Sequence, residues 1–169
     1  MRQAAVLFAT LAVVAAAIAA AGCGGGGKSS GGKPLTKSEF VAKADGICRD
    51  ASAKRPTPPS DIANVDPTAS STTDEQLKKF GDFIEKVVKQ ARQEVDDLRG
   101  VKPPANLQGT YDRALATLDE AINELEEAGE AARKADRTKF KDKVAESQRH
   151  SDEANKLAKQ LGLSVCGQG

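Results

Sequence analysis

Apolar residues along the chain fall into one continuous run, with a single polar break, and four periodic stripes. The run extends from Ala4 to Ala21 and is interrupted only by Thr10. The first stripe places Phe40, Ala44, Ile47 and Ala51 at spacings of four, three and four, with Val41 and Cys48 beside them. That period belongs to one face of an α-helix. Thr36-Lys37-Ser38-Glu39 opens it as a capping box, and Pro56 requires it to end earlier. The second stripe is Leu77, Phe80, Ile84, Val87, Ala91, Val95 and Leu98. It follows a further capping box in Thr72-Thr73-Asp74-Glu75 and stops at Gly100. After Pro103-Pro104 comes the third: Leu107, Tyr111, Ala114, Leu118, Ile122 and Leu125. Asp136 caps a fourth helix, carrying Phe140, Val144, Ser147, Ser151, Ala154, Ala158 and Leu161 before Gly162.

No period-2 run of strand-forming residues occurs, so the expected class is all-α. Short second and third connections make consecutive helices antiparallel neighbours. The expectation is an antiparallel four-helix bundle over residues 36–169, with a short first helix and three longer ones. Arg55 to Thr73, with four prolines among Ser, Thr and Asp, reads as a loop. Unstructured connections that long are uncommon without a purpose, which makes it a candidate contact region.

The N-terminal run changes the picture. Met1-Arg2 supplies a positive start, and the apolar run ends in small residues, the form of a secretory signal peptide over residues 1–22. An uncleaved membrane anchor and ordinary cleavage after Ala21 are the competing readings. Ala20-Ala21-Gly22-Cys23 resembles the lipobox of bacterial lipoproteins, although Ala20 stands where that pattern usually has Leu. The resemblance implies diacylglycerol on Cys23. Cysteine arithmetic agrees: there are three, Cys23, Cys48 and Cys166, and lipid on the first leaves an even pair that can bond. Residues 23–35 then form the lipidated cysteine and a Gly/Ser linker. Its ten residues from Gly24 to Lys33 span about 16–19 Å, keeping the domain near the bilayer. Gly22 to Ser29 also spells a phosphate-loop pattern, but no strand precedes it and no helix follows directly.

A Cys48–Cys166 bridge is within reach. Cys48 lies roughly 18 Å along the first helix, and the four residues after Gly162 fold back by about 13 Å. Closing nearly the whole domain in one loop is worth on the order of 5 kcal/mol in the chain-entropy model. Few aromatics are present to build a core and Trp is absent, so such a staple matters.

Ala44 to Cys48 (Ala-Asp-x-Ile-Cys), paired with Gly162 to Cys166 (Gly-Leu-x-x-Cys), resembles small Ala-rich lipoproteins of actinobacteria. The resemblance covers the two ends of the domain and implies a structural disulfide and no catalytic residues.

Charge excludes more than it suggests. Arg2 is the only charged side chain before Cys23, so basic and acidic residues balance from there on. No nucleic-acid partner is expected. His150, with Glu146 and Glu153 nearby, supplies at most three metal ligands and no matching half, so no metal or other cofactor is expected. No serine or cysteine has the setting of a nucleophile, and no carboxylate pair stands out among Glu120, Glu124, Glu126, Glu127 and Glu130. The basic cluster from Arg133 to Lys143 reads as a solvated corner. Its functional alternative is contact with an envelope protein or an anionic wall polymer.

The expected protein is therefore non-enzymatic: an interaction or binding module tethered by Cys23 to the extracytoplasmic face of the cell membrane. A carrier holding a small apolar ligand between the helices is the alternative, and a cell-envelope enzyme the third. A sizeable lined cavity favours the carrier; a filled core with an exposed apolar patch favours a protein partner.

Overall fold

The computed structural model describes residues 33–168; the leader, Cys23 and most of the linker lie outside them. Four helices account for most of this part: α1 (Lys37–Ala53), α2 (Asp74–Arg99), α3 (Gln108–Arg133) and α4 (Arg137–Leu161). A 3-10 turn, Cys166–Gln168, follows. There is no strand among the described residues, and the helices pack as an all-α four-helix bundle. None of these helices is long and apolar enough to cross a membrane.

Helix starts follow from local chemistry. Thr36 accepts from the Glu39 amide, and the Glu39 carboxylate accepts from the Thr36 amide at 2.9 Å. At α2 the box sits one residue later than expected. Thr73 is the cap and Gln76 its partner, because the Thr72 hydroxyl is buried and donates to the Asp66 carbonyl. Asp136 caps α4 through the Lys139 amide. The helix ends at Gly162, whose φ of 85° lets Leu163 donate back to the Ala158 carbonyl.

Register can be read from contacts between helices. Arg133, Arg92 and Arg99 of the α2–α3 pair meet Glu85, Glu126 and Asp119. Low numbers on α2 face high numbers on α3, so the two are antiparallel. Ser147 donating to the Ala121 carbonyl and Lys143 meeting Glu124 fix α4 antiparallel to α3 in the same way. α3 thus packs along both long neighbours and buries a wider face than one stripe, including Leu115, Ala121, Ala128 and Ala132. The α2 and α3 backbones approach closely at Gly81 and Gly129.

The fourth side of the bundle has two parts. α1 covers α2 at one end, with Leu35 donating to the Lys102 carbonyl and Gln90 to that of Ala51. The Pro-rich segment after it completes the side as a chain of tight turns. Ile62 donates to Pro59, Val65 to Ile62, Ala69 to Asp66 and Thr72 to Ala69. Ile62 is buried, Asp61 pairs with Lys79 of α2, and Arg137 of α4 donates to the Thr72 carbonyl. This segment takes the place of the turns that α1 lacks.

At the α1 end, Phe40 meets Tyr111 edge-on with ring centroids 5.1 Å apart. The Tyr111 hydroxyl, pushed up in pKa by burial, donates to the Leu98 carbonyl at 2.7 Å. Leu77, Phe140 and Leu161 extend the core along the helices.

Candidate functional site

The two ends of the domain close on each other through α1. Cys48 and Cys166, 118 positions apart in sequence, are joined by a disulfide with Cα atoms 5.2 Å apart. Three residues earlier, Asp45 is 5% exposed and gathers the returning tail. Its carboxylate accepts from the Ser164 amide and hydroxyl at 3.0 and 2.8 Å, and from the Val165 and Cys166 amides at 2.9 and 3.3 Å. Burial raises its pKa, but these donors outweigh burial and hold it below the ordinary carboxylate value. The aspartate and the cysteine of the Ala-Asp-x-Ile-Cys segment are thus parts of one clasp.

Above that clasp lies a cavity of about 230 Å³. Ala91, Val95 and Leu98 of α2 form one wall, and Ala114, Leu118 and Ile122 of α3 a second. Ala154 and Ala158 of α4 form the third, with the disulfide at its base. Its origin is compositional. Small side chains at Ala91, Ala114, Ser151 and Ala154 leave space between the helices that larger ones would fill. The lining is mainly apolar. Its buried hydroxyls are satisfied, Ser147 donating to the Ala121 carbonyl and Tyr111 to that of Leu98.

Two charged residues reach this cavity, Glu94 of α2 and Arg55 just beyond α1. Glu94 is half-buried, and burial raises its pKa; Arg55 opposes the shift and Asp97 adds to it. Among the described residues, no hydrogen bond or salt bridge joins the Glu94 carboxylate or the Arg55 guanidinium to any side chain, including each other. Neither residue stood out in the sequence. A signal was present for Glu94, which lies three residues after Ala91 and four before Leu98, a charge at apolar spacing.

The other candidate groups disperse. His150 is mostly buried in the α3–α4 seam. Its Nδ1 lies 3.1 Å from Glu120, near enough for an ion pair if protonated but not aligned for a hydrogen bond. No three His, Cys, Asp or Glu side chains converge as metal ligands among the described residues. At the basic corner, Arg133 pairs with Glu85, Lys134 with Glu130, Arg137 with Asp74 and Lys139 with Glu127. Lys143 lies among Glu124, Glu127 and Glu146. Arg133, Lys134, Arg137, Lys139 and Lys143 are therefore engaged by the protein's own carboxylates, several of them in the acidic row of α3. Cys23 lies outside the described residues.

What fold and cavity define is a disulfide-clasped helical bundle with an apolar slot. No family model matches the chain, and no curated protein or solved structure is significantly similar to it.

Proposed function

We propose that this chain is a non-enzymatic binding module, tethered by lipid on Cys23 to the extracytoplasmic face of the cell membrane, that holds a small apolar ligand between α2, α3 and α4. The observation that carries the ligand reading is the lined cavity of about 230 Å³. Apolar cavities of about 150 Å³ stay dry and accept benzene, so this one suits a somewhat larger body. The slot opens to solvent where Glu94 and Arg55 stand, so an occupant can enter without unfolding the bundle, and its binding stabilises the fold by mass action. The paired basic corner argues against an anionic polymer as partner. The tether reading rests on the leader sequence and on the bonded Cys48–Cys166 pair, which leaves Cys23 as the odd cysteine.

The first test is titration of the protein with 1-aminoanthracene, whose emission rises in apolar surroundings. Saturable enhancement is expected, and Ala154→Leu, which fills the slot from α4, should abolish it while leaving the fold intact. Ala114→Val provides a milder filling on α3 in case leucine overpacks. No saturable signal with the unaltered protein would overturn the ligand reading. Intact-mass analysis of membrane-extracted protein tests the tether: Cys23 should carry acyl mass, and an unmodified thiol there would refute it.

A further inference from the structure

The cavity explains where an apolar body sits but not why charges of opposite sign stand beside it. A half-buried carboxylate without a hydrogen-bond donor is costly, because it has lost part of its hydration and gained no partner. A direct salt bridge to Arg55 would relieve it, yet none forms among the described residues. The two groups reach the same cavity from different elements, α2 and the chain after α1, and their charges act on each other across the intervening space. What fits there is a molecule presenting a cation to one, an anion to the other, and an apolar body to the space below.

Resting on the ligand reading above, we infer that the slot binds a small apolar zwitterion of the α-amino-acid kind. Its ammonium meets Glu94, its carboxylate meets Arg55, and a leucine- or phenylalanine-sized side chain enters the space between Ala91, Ala114 and Ala154. An ammonium and a carboxylate on one carbon are close enough together to bridge two side chains that do not touch. Arginine offers a planar fork of donors to a carboxylate. Glutamate offers the ammonium only acceptors. A singly charged amphiphile satisfies one of the two and leaves the other facing a like charge or nothing. A fully apolar molecule satisfies neither. Burial raises the pKa of Glu94, and an ammonium beside it would restore the ionised form, so occupancy and ionisation favour each other.

The experiment is calorimetric titration of the intact mature protein with L-leucine, alongside its two single-headed analogues. These are 3-methylbutylamine, which lacks the carboxylate, and 4-methylpentanoate, which lacks the ammonium. Leucine should bind at least tenfold tighter than either. Glu94→Gln should weaken leucine and the amine at least fivefold and leave the acid unchanged. Arg55→Gln should weaken leucine and the acid and leave the amine unchanged. Both variants should bind 1-aminoanthracene as the parent does, which reports an intact slot. If leucine binds no tighter than an analogue, or if neither variant alters its affinity, the zwitterion assignment is wrong. Aminoanthracene binding without leucine binding overturns this inference and leaves the apolar slot standing. Binding of neither removes both.

Discussion

Asp45 shows how much one carboxylate can hold. Three backbone amides and a hydroxyl of the tail all converge on its two oxygens. Asp45→Asn keeps the shape but turns one acceptor into a donor facing backbone N–H groups, so a loss of about 2 kcal/mol is expected in urea unfolding. The pH dependence has a definite sign. A folded-state pKa below the ordinary 3.8 means that the contribution is complete above that value and disappears as pH falls through the lower folded value. The stability difference between parent and Asp45→Asn should therefore be flat at neutral pH and narrow in strong acid. A difference that widens below pH 3.8 would contradict the clasp. Glu94 has the opposite sign, since its raised pKa makes the ionised form the less favoured one in the fold.

Glycines that look alike in sequence differ in what packs against them. At Gly81 an added Cβ would lie 2.7 Å from the Gly129 carbonyl oxygen and from Arg133 Cγ. Backbone cannot yield as a side chain can, so Gly81→Ala must spread α2 from α3. The expected cost is about 2 kcal/mol, which outweighs alanine's better helix propensity of about 1 kcal/mol. Gly46, in α1, has nothing within 4 Å of the same added atom, and Gly46→Ala should stabilise by about 1 kcal/mol. Thermal unfolding of the two variants should move the midpoint in opposite directions. The turn between α3 and α4 offers a gain by the reverse exchange. Ala135 sits at φ 56°, with Asp136 donating back to the Ala131 carbonyl, so Ala135→Gly should relieve about 1 kcal/mol of strain. Helices of this kind were largely legible in the chain, because a 3.6-residue period and side-chain caps are local signals. Thr36, Asp136 and Gly162 needed only their neighbours to be read. The close approach at Gly81, the wide buried face of α3 and the folding of the Pro-rich segment were not legible, since each depends on what packs opposite. The slot was legible only as an alanine-rich seam, which is compatible with either tight closure or a gap. Glu94 at apolar spacing marked the place without saying what it meant.

At the scale of the whole molecule, stability is unevenly distributed. α3 is gripped on both sides by α2 and α4, while α1 rests on α2, touches α3 mainly through Phe40 and Tyr111, and is tied to the tail by the disulfide and the Asp45 clasp. Reduction removes a cross-link closing 118 residues, for which the chain-entropy model gives on the order of 5 kcal/mol before native strain is subtracted. The global loss should be accompanied by a local one, because the elements least supported by packing open first. In hydrogen exchange, the reduced protein or a Cys48→Ser/Cys166→Ser pair should lose protection in α1 and the tail at Val165 and Cys166 before it does so in α2, α3 and α4. The cavity joins this prediction to the proposed function. Cys48 and Cys166 form its base, so a loosened α1 opens the slot at that end. Ligand affinity should therefore fall on reduction by more than the unfolded fraction accounts for, read by repeating the aminoanthracene titration with and without a reductant under conditions where circular dichroism still reports full helix. Equal affinity in the two states would mean that the slot is maintained by α2, α3 and α4 alone, with α1 serving only to close the fold.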